Sequence, residues 1–188
     1  MDKCIGLSPQ SLDWCDGKVS LPGIRSVVYF IPKRDIVKWP TLPETFTLKM
    51  SEMAVYTGNF TLADDKKWQK MSVLVDKSPV TFESQGSKPS KSMLNKATFL
   101  HPGTEEEATA FCGLANNDDY VYIVQIKKGK YRVLGNEMYQ TETNPSQTLG
   151  GSVTDEMGTK LEISVTDQMP APFYNGTIMT EDGDVNLP

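Results

Sequence analysis

Between Asp119 and Gly135 the chain carries two extended runs around a short turn: Tyr120-Val121-Tyr122-Ile123-Val124-Gln125-Ile126, then Lys127-Lys128-Gly129-Lys130, then Tyr131-Arg132-Val133-Leu134. Runs of β-branched and aromatic residues joined by a Gly-containing turn read as a β-hairpin. The first run constrains the fold most. Tyr120, Tyr122, Val124 and Ile126 lie on one side of it and Val121 and Ile123 on the other, and a strand apolar on both faces has to be covered on both. A single half-solvated sheet is thereby excluded; the second face is covered either by a helix or by another subunit. A second hairpin is expected from about Ser146 to Val153, turning at Asp155-Glu156-Met157-Gly158 and returning through Lys160–Val165.

The rest of the chain supplies more strands and one helix. Residues 1–23 read as an irregular arm punctuated by Pro9, Gly17, Pro22 and Gly23. Ile24–Ile31 is a strand that Pro32 ends or bends. Strands are expected at Phe46–Met50 and at Ala54–Leu62 with Gly58 as a bulge, inside a long protruding loop or hairpin over 39–68. Trp68–Val75, Val80–Glu83 and Ser92–Leu100 then form an antiparallel meander with a flexible turn at Gly86–Ser92. A helix follows over about 104–116. Thr104 and Glu107 have the spacing of a capping box, and Ala108, Phe111, Leu114 and Ala115 are expected on its packed face. The fold class is mainly β: an antiparallel β-sandwich or half-barrel with one flanking helix, a single domain over 24–175 and a mobile, acidic tail at 176–188.

Composition narrows the chemistry. Over 188 residues the net charge is −5 and the pI about 5.0, which argues against a dedicated nucleic-acid binder with its basic patch. Residues 1–6 lack the basic and apolar regions of a secretory leader, and no apolar run approaches the length of a membrane helix. Cys4, Cys15 and Cys112 are an odd number, so a disulfide framework is not expected and synthesis in a reducing cytoplasm is. His101, the only histidine, sits in a strand-to-helix turn where a surface or capping role is the plainer reading. The cysteines and His101 match no zinc-ligand spacing. Asp118-Asp119 and Glu181-Asp182-Gly183-Asp184 do not fit a calcium loop, and Gly150-Gly151 is not a phosphate loop. The sequons at Asn59 and Asn175 read as accidental in a chain without a leader. The expectation is no catalytic residue, no metal and no cofactor.

Apolar residues in irregular segments are the stronger hint. Aromatics and Met are enriched at interface cores, and Trp14 stands in the arm. Trp39, Phe46, Met50, Met53, Val55, Tyr56, Phe60 and Trp68 in the loop, with Tyr120, Tyr122, Val124 and Ile126 in the double-faced strand, form the expected subunit interface. Burial under the chain's own loops is the competing reading.

The order of these elements resembles a known family. A Cys-containing arm precedes Gly23-Ile24-Arg25-Ser26-Val27-Val28-Tyr29. A long loop, then Phe99-Leu100-His101-Pro102-Gly103 and a helix follow. The Val-Tyr-Ile-Val strand leads into Gly129-Lys130-Tyr131-Arg132-Val133-Leu134-Gly135, and the last hairpin into Pro170-Ala171-Pro172. This is similar to the tail tube and related virion structural proteins of tailed bacteriophages, particularly those infecting Bacteroidetes, over about residues 20–175. The resemblance implies a homo-oligomer in the virion tail, made in the host cytoplasm. Six copies would join their sheets into a ring, rings would stack through the loop at about Trp39–Trp68, and DNA would pass transiently through an acidic lumen. Its partners would be itself and other tail proteins. A head–tail connector or tail terminator ring protein is the alternative within that class. A monomeric β-sandwich that grips a carbohydrate or peptide through Tyr120, Tyr122 and Trp68 is the alternative outside it.

Overall fold

The computed structural model describes residues 9–43 and 49–186. Among the described residues the fold is mainly β, with one α-helix and no closed barrel. In chain order the strands are β1 (Ile24–Pro32), β2 (Ile36–Lys38), β3 (Val55–Tyr56), β4 (Thr61–Leu62), β5 (Gln69–Ser72), β6 (Val80–Gln85) and β7 (Ser92–His101). Helix α1 (Glu106–Ala115) follows. Then come β8 (Tyr120–Ile126), β9 (Tyr131–Leu134), β10 (Thr141–Thr148), β11 (Gly158–Asp167), β12 (Phe173–Tyr174), β13 (Thr177–Thr180) and β14 (Gly183–Asn186). A six-stranded sheet runs β3-β12-β9-β8-β1-β5 and a four-stranded sheet runs β10-β11-β7-β6. Pairing in both is antiparallel except for β12 with β3.

The double-faced strand β8 organises two cores. Tyr120, Tyr122 and Val124 point between the sheets and pack with Val28, Phe99, Leu134, Leu161 and Ile163. The Tyr122 hydroxyl meets the Thr143 hydroxyl of the opposite sheet at 2.9 Å. Helix α1 closes this layer through Phe111, whose ring lies 4.8 Å from Phe30 and 5.5 Å from Tyr120. On the other face, Val121 and Ile123 pack with Ile31, Val133, Tyr56, Phe60, Trp68, Tyr174 and Ile178. The cover there is the segment expected to protrude. Phe60 stacks edge-on against Trp39 and Trp68, each at 5.3 Å, and lies 5.1 Å from Tyr174. The Phe60 amide donates to the Tyr174 hydroxyl at 3.3 Å, which donates to the Thr177 carbonyl at 3.0 Å.

Several expectations are corrected. The described parts of the segment expected to protrude, 39–43 and 49–68, lie down on the six-stranded sheet through Trp39, Leu42, Tyr56, Phe60, Leu62 and Trp68, because these side chains bury more apolar surface there than in solvent. Of the strand expected at Phe46–Met50, residues 46–48 lie outside the described residues and Lys49–Met50 form no strand. Ala54–Leu62 is two short strands parted at Gly58, whose φ of +90° suits glycine. The meander is split: β5 pairs with β1 in the larger sheet, whereas β6 and β7 pair in the smaller. The capping box does not form. Glu105 is the N-cap without a side-chain cap bond; its carboxylate accepts from the Thr104 amide at 3.0 Å, and the Thr109 hydroxyl donates to the Thr104 carbonyl. Leu114 is exposed rather than packed. At about 100° per residue it falls roughly 120° around the helix from Ala108, off the stripe of Ala108, Phe111 and Ala115. The second hairpin begins at Thr141 and turns through 149–157. The C-terminal segment is a hairpin of β13 and β14 whose Ile178 is fully buried, so the domain extends past 175.

Candidate assembly surface

Six of the residues expected at a subunit interface are core residues of the single chain. Tyr56, Phe60, Trp68, Tyr120, Tyr122 and Val124 are buried by their own chain, which leaves them no surface to offer a neighbour. Both faces of β8 are covered from within, so the need for a second subunit to shield it does not arise. Trp39, Met50, Met53, Val55 and Ile126 keep part of their surface; Phe46 lies outside the described residues. Burial raises the pKa of the Tyr122 phenol, and does the same for Tyr56, with Asp167 and Glu137 adding to the effect there. Both tyrosines act as apolar packing with a polar tip.

What the chain leaves open is polar. On the solvent face of the four-stranded sheet, register places Glu142 beside Ser164, Lys96 and Thr81 in one row. Asn144, Glu162 and Thr98 form the next, and Ser146 and Lys160 the one after, which ends at the buried Leu100. Lys96 pairs with Glu83 and Lys160 with Glu162, so Glu142 is the carboxylate left over on this face. Exposed pairs of this kind add little stability; they make a hydrated wall. The four-stranded sheet ends in β10 and β6. The Thr141 amide turns away from β11 to the Asp119 carboxylate at 2.9 Å. By the alternation of an antiparallel ladder the outward amides of β10 are then those of Thr143 and Gln147, with Pro145 between them contributing none. At β6 the Thr98 amide donates to the Pro79 carbonyl at 2.9 Å. The same alternation turns Val80, Phe82 and Ser84 outward as a bare edge.

Two apolar features stand away from the sheets. The 149–157 loop is shaped by Asp155, whose carboxylate accepts from the Gly151 amide at 2.9 Å and the Ser152 amide at 2.8 Å. The Gly151 bond is the largest cause of its lowered pKa. This loop exposes Leu149, Val153 and Met157. The arm exposes Leu12, Trp14, Val19 and Leu21. Cys15 in the arm and Cys112 on α1 are free thiols. The ring of His101 donates from Nδ1 to the Ser72 carbonyl at 2.8 Å, a structural bond between strands. Among the described residues no group of three or more His, Cys, Asp or Glu side chains is placed to hold a metal, and no helix is long and apolar enough to cross a membrane.

One buried polar group stands out. Asp167 at the end of β11 is buried; its Oδ1 accepts from the Gln168 amide at 2.7 Å, whereas Oδ2 has no hydrogen-bond partner. Burial raises its pKa, partly offset by the nearby amides of Gln168 and Met169 and by Asn136. An acid whose folded pKa lies above its unfolded value of about 3.9 costs stability when ionised. The cost vanishes below the unfolded pKa and is complete above the folded one. Asp167→Asn carries no such titration. Whatever constant offset the amide brings, thermal melts from pH 4 upward should show the variant gaining on the native chain as pH rises. A difference that is flat, or that shrinks with pH, would contradict the burial of an unpaired carboxylate.

Comparison of the chain with protein-family models, with curated proteins and with solved structures gives no match.

Proposed function

We propose that this chain is a virion structural protein, a tail tube subunit whose copies join into stacked rings that conduct DNA during ejection. The observation that carries the reading is the four-stranded sheet. It presents a hydrated, ion-paired outer face and a bare edge at β6, with further outward amides on β10. Exposed edges invite pairing with another chain unless they are blunted. Joining β6 of one copy to β10 of the next removes both edges and lines a ring with the polar face. The three carboxylates and two ammonium groups of Glu83, Glu142, Glu162, Lys96 and Lys160 would leave such a wall slightly negative. DNA, which binds through neutralised phosphates, would slide past rather than stick. The self-contained core refines the picture: subunits fold first and then join through edges, rather than completing one another's core. That same core favours a second reading, a monomeric binding module.

Full-length protein at increasing concentration, followed by light scattering and negative-stain microscopy, separates these readings. Tubes are expected. Rings that do not stack support a connector or terminator protein, and a monomer at every concentration overturns the assembly reading.

A further inference from the structure

We propose that the groove walled by Trp39, Leu42, Met53 and Met169 binds a primary alkylammonium ion, its charge set beside Glu137 and its chain laid against those walls. The inference goes beyond the assembly reading and does not depend on it. Three stretches of chain build the groove: 39–43 with Met53 and Tyr56, 136–138 after β9, and 167–169 at the end of β11. It is open, with a volume of about 530 Å³, the size of a small-molecule site. The buried Asn136 ties two of these stretches together. Its side-chain amide donates to the Thr166 carbonyl at 2.7 Å. Its side-chain carbonyl accepts from the amides of Met138 and Tyr139 at 3.0 and 2.8 Å. Glu137 is thereby held on the same lining as Asp167.

The lining joins apolar walls to an excess of negative charge. Glu137 and Asp167 are its charged groups, and among the described residues no lysine, arginine or histidine lines it. Neither carboxylate takes part in an ion pair among the described residues. Asp167 is 4% exposed, and its Oδ2 accepts no hydrogen bond. A buried carboxylate left in that state is kept at a cost, and a cation in the groove offsets it. Burial raises the pKa of the Tyr56 phenol, and both carboxylates add to the rise, so their fields converge on one part of the groove. Oδ2 itself is closed to water. The ammonium therefore donates to the exposed Glu137, and Asp167 attracts it through the protein, where charges interact more strongly than across water. Trp39 supplies an aromatic ring of the type that attracts cations. A metal ion suits the groove less well. Among the described residues no three His, Cys, Asp or Glu side chains are placed to hold one, whereas hard cations take about six or more oxygens.

Ligand-observed saturation-transfer NMR of the full chain tests this, with n-butylammonium chloride as the probe and butan-1-ol as its uncharged match. Saturable binding of n-butylammonium is expected with a dissociation constant of about 1–10 mM, at least tenfold tighter than that of butan-1-ol. Glu137→Gln, at an exposed position, and Asp167→Asn should each weaken binding at least tenfold, with melting curves showing that both variants fold. Glu106→Gln, on the exposed first turn of α1, should bind like the native chain. The absence of saturable binding below roughly 50 mM would overturn the inference. Equal affinity for the alcohol would overturn it too, by marking a merely apolar groove. So would native affinity in Glu137→Gln, or a loss in Glu106→Gln as large as in Glu137→Gln, which would reveal only a general attraction to an acidic protein.

Discussion

Trp68→Ala is expected to destabilise the isolated, monomeric chain by about 3–5 kcal/mol, the range for removing a large aromatic from a closed core. Trp68 is 1% exposed and its ring packs edge-on against Phe60, which in turn touches Trp39 and Tyr174. Its backbone amide donates to the Met179 carbonyl at 2.9 Å, so it also marks where the C-terminal hairpin joins the sheet edge. Alanine leaves a void among residues already held from three directions, and such a site relaxes poorly. The experiment separates two views of this residue. If Trp68 were an interface residue, its loss would weaken assembly and leave the dilute monomer's urea midpoint in place. A core residue does the reverse: the midpoint falls at any concentration. Trp68→Phe sharpens the test. The indole N–H is buried without a hydrogen-bond partner, and an unpaired buried donor itself costs about 1–3 kcal/mol. Phenylalanine removes that donor while filling most of the space, so it should cost far less than alanine.

The parts of this fold legible in the sequence are those where burial imposed a period. β1, β7 and the β8–β9 hairpin alternate or run apolar because they face one or both cores, and their bounds agree with the reading to within a residue or two. The start of β10 leaves no mark in the sequence, because Thr141-Glu142-Thr143-Asn144-Pro145 contains no large apolar side chain. Its buried positions are threonines: Thr141 and Thr143 lie opposite the buried Val165 and Ile163, and the Thr143 hydroxyl is met by that of Tyr122. The loop over 39–68 has no period at all, since its contribution is a cluster of rings from irregular positions rather than a face of a regular element. Its purpose was nevertheless implied by β8, whose second face demanded cover. The aromatics of the loop are the signal for that cover. Helix α1 shows a different limit: Thr104 and Glu107 have the right spacing for a cap, but Glu105 is still extended and is itself the N-cap, so the helix starts one residue later than that cap would set it. The assembly surface was the least legible. Exposure of Trp14, Val19 and Leu21 is a property of what does not pack on them, and the bare edge of β6 depends on which strand stops the sheet.

Ser84→Pro is expected to raise the concentration needed for ring growth at least tenfold while leaving the monomer folded. The Pro79–Thr98 bond fixes the parity of the β6–β7 ladder, so the Ser84 amide faces outward and takes no part in holding β6 to β7. Proline is tolerated on edge strands for that reason, and Ser84 is exposed at the end of the strand. The cost to the dilute monomer should therefore stay within about 1 kcal/mol. At a sheet-to-sheet junction the same substitution removes a donor and inserts a ring into the hydrogen-bonding plane. The loss recurs at every junction of a closed assembly, so the concentration needed for association should rise at least tenfold, equivalent to about 1.4 kcal/mol per contact. Ser84→Thr, which keeps the amide and raises strand propensity, should assemble like the native chain. Tubes of Ser84→Pro growing at an unchanged concentration would show that β6 is not where copies meet, and the polar face of the four-stranded sheet would lose its claim to line a lumen.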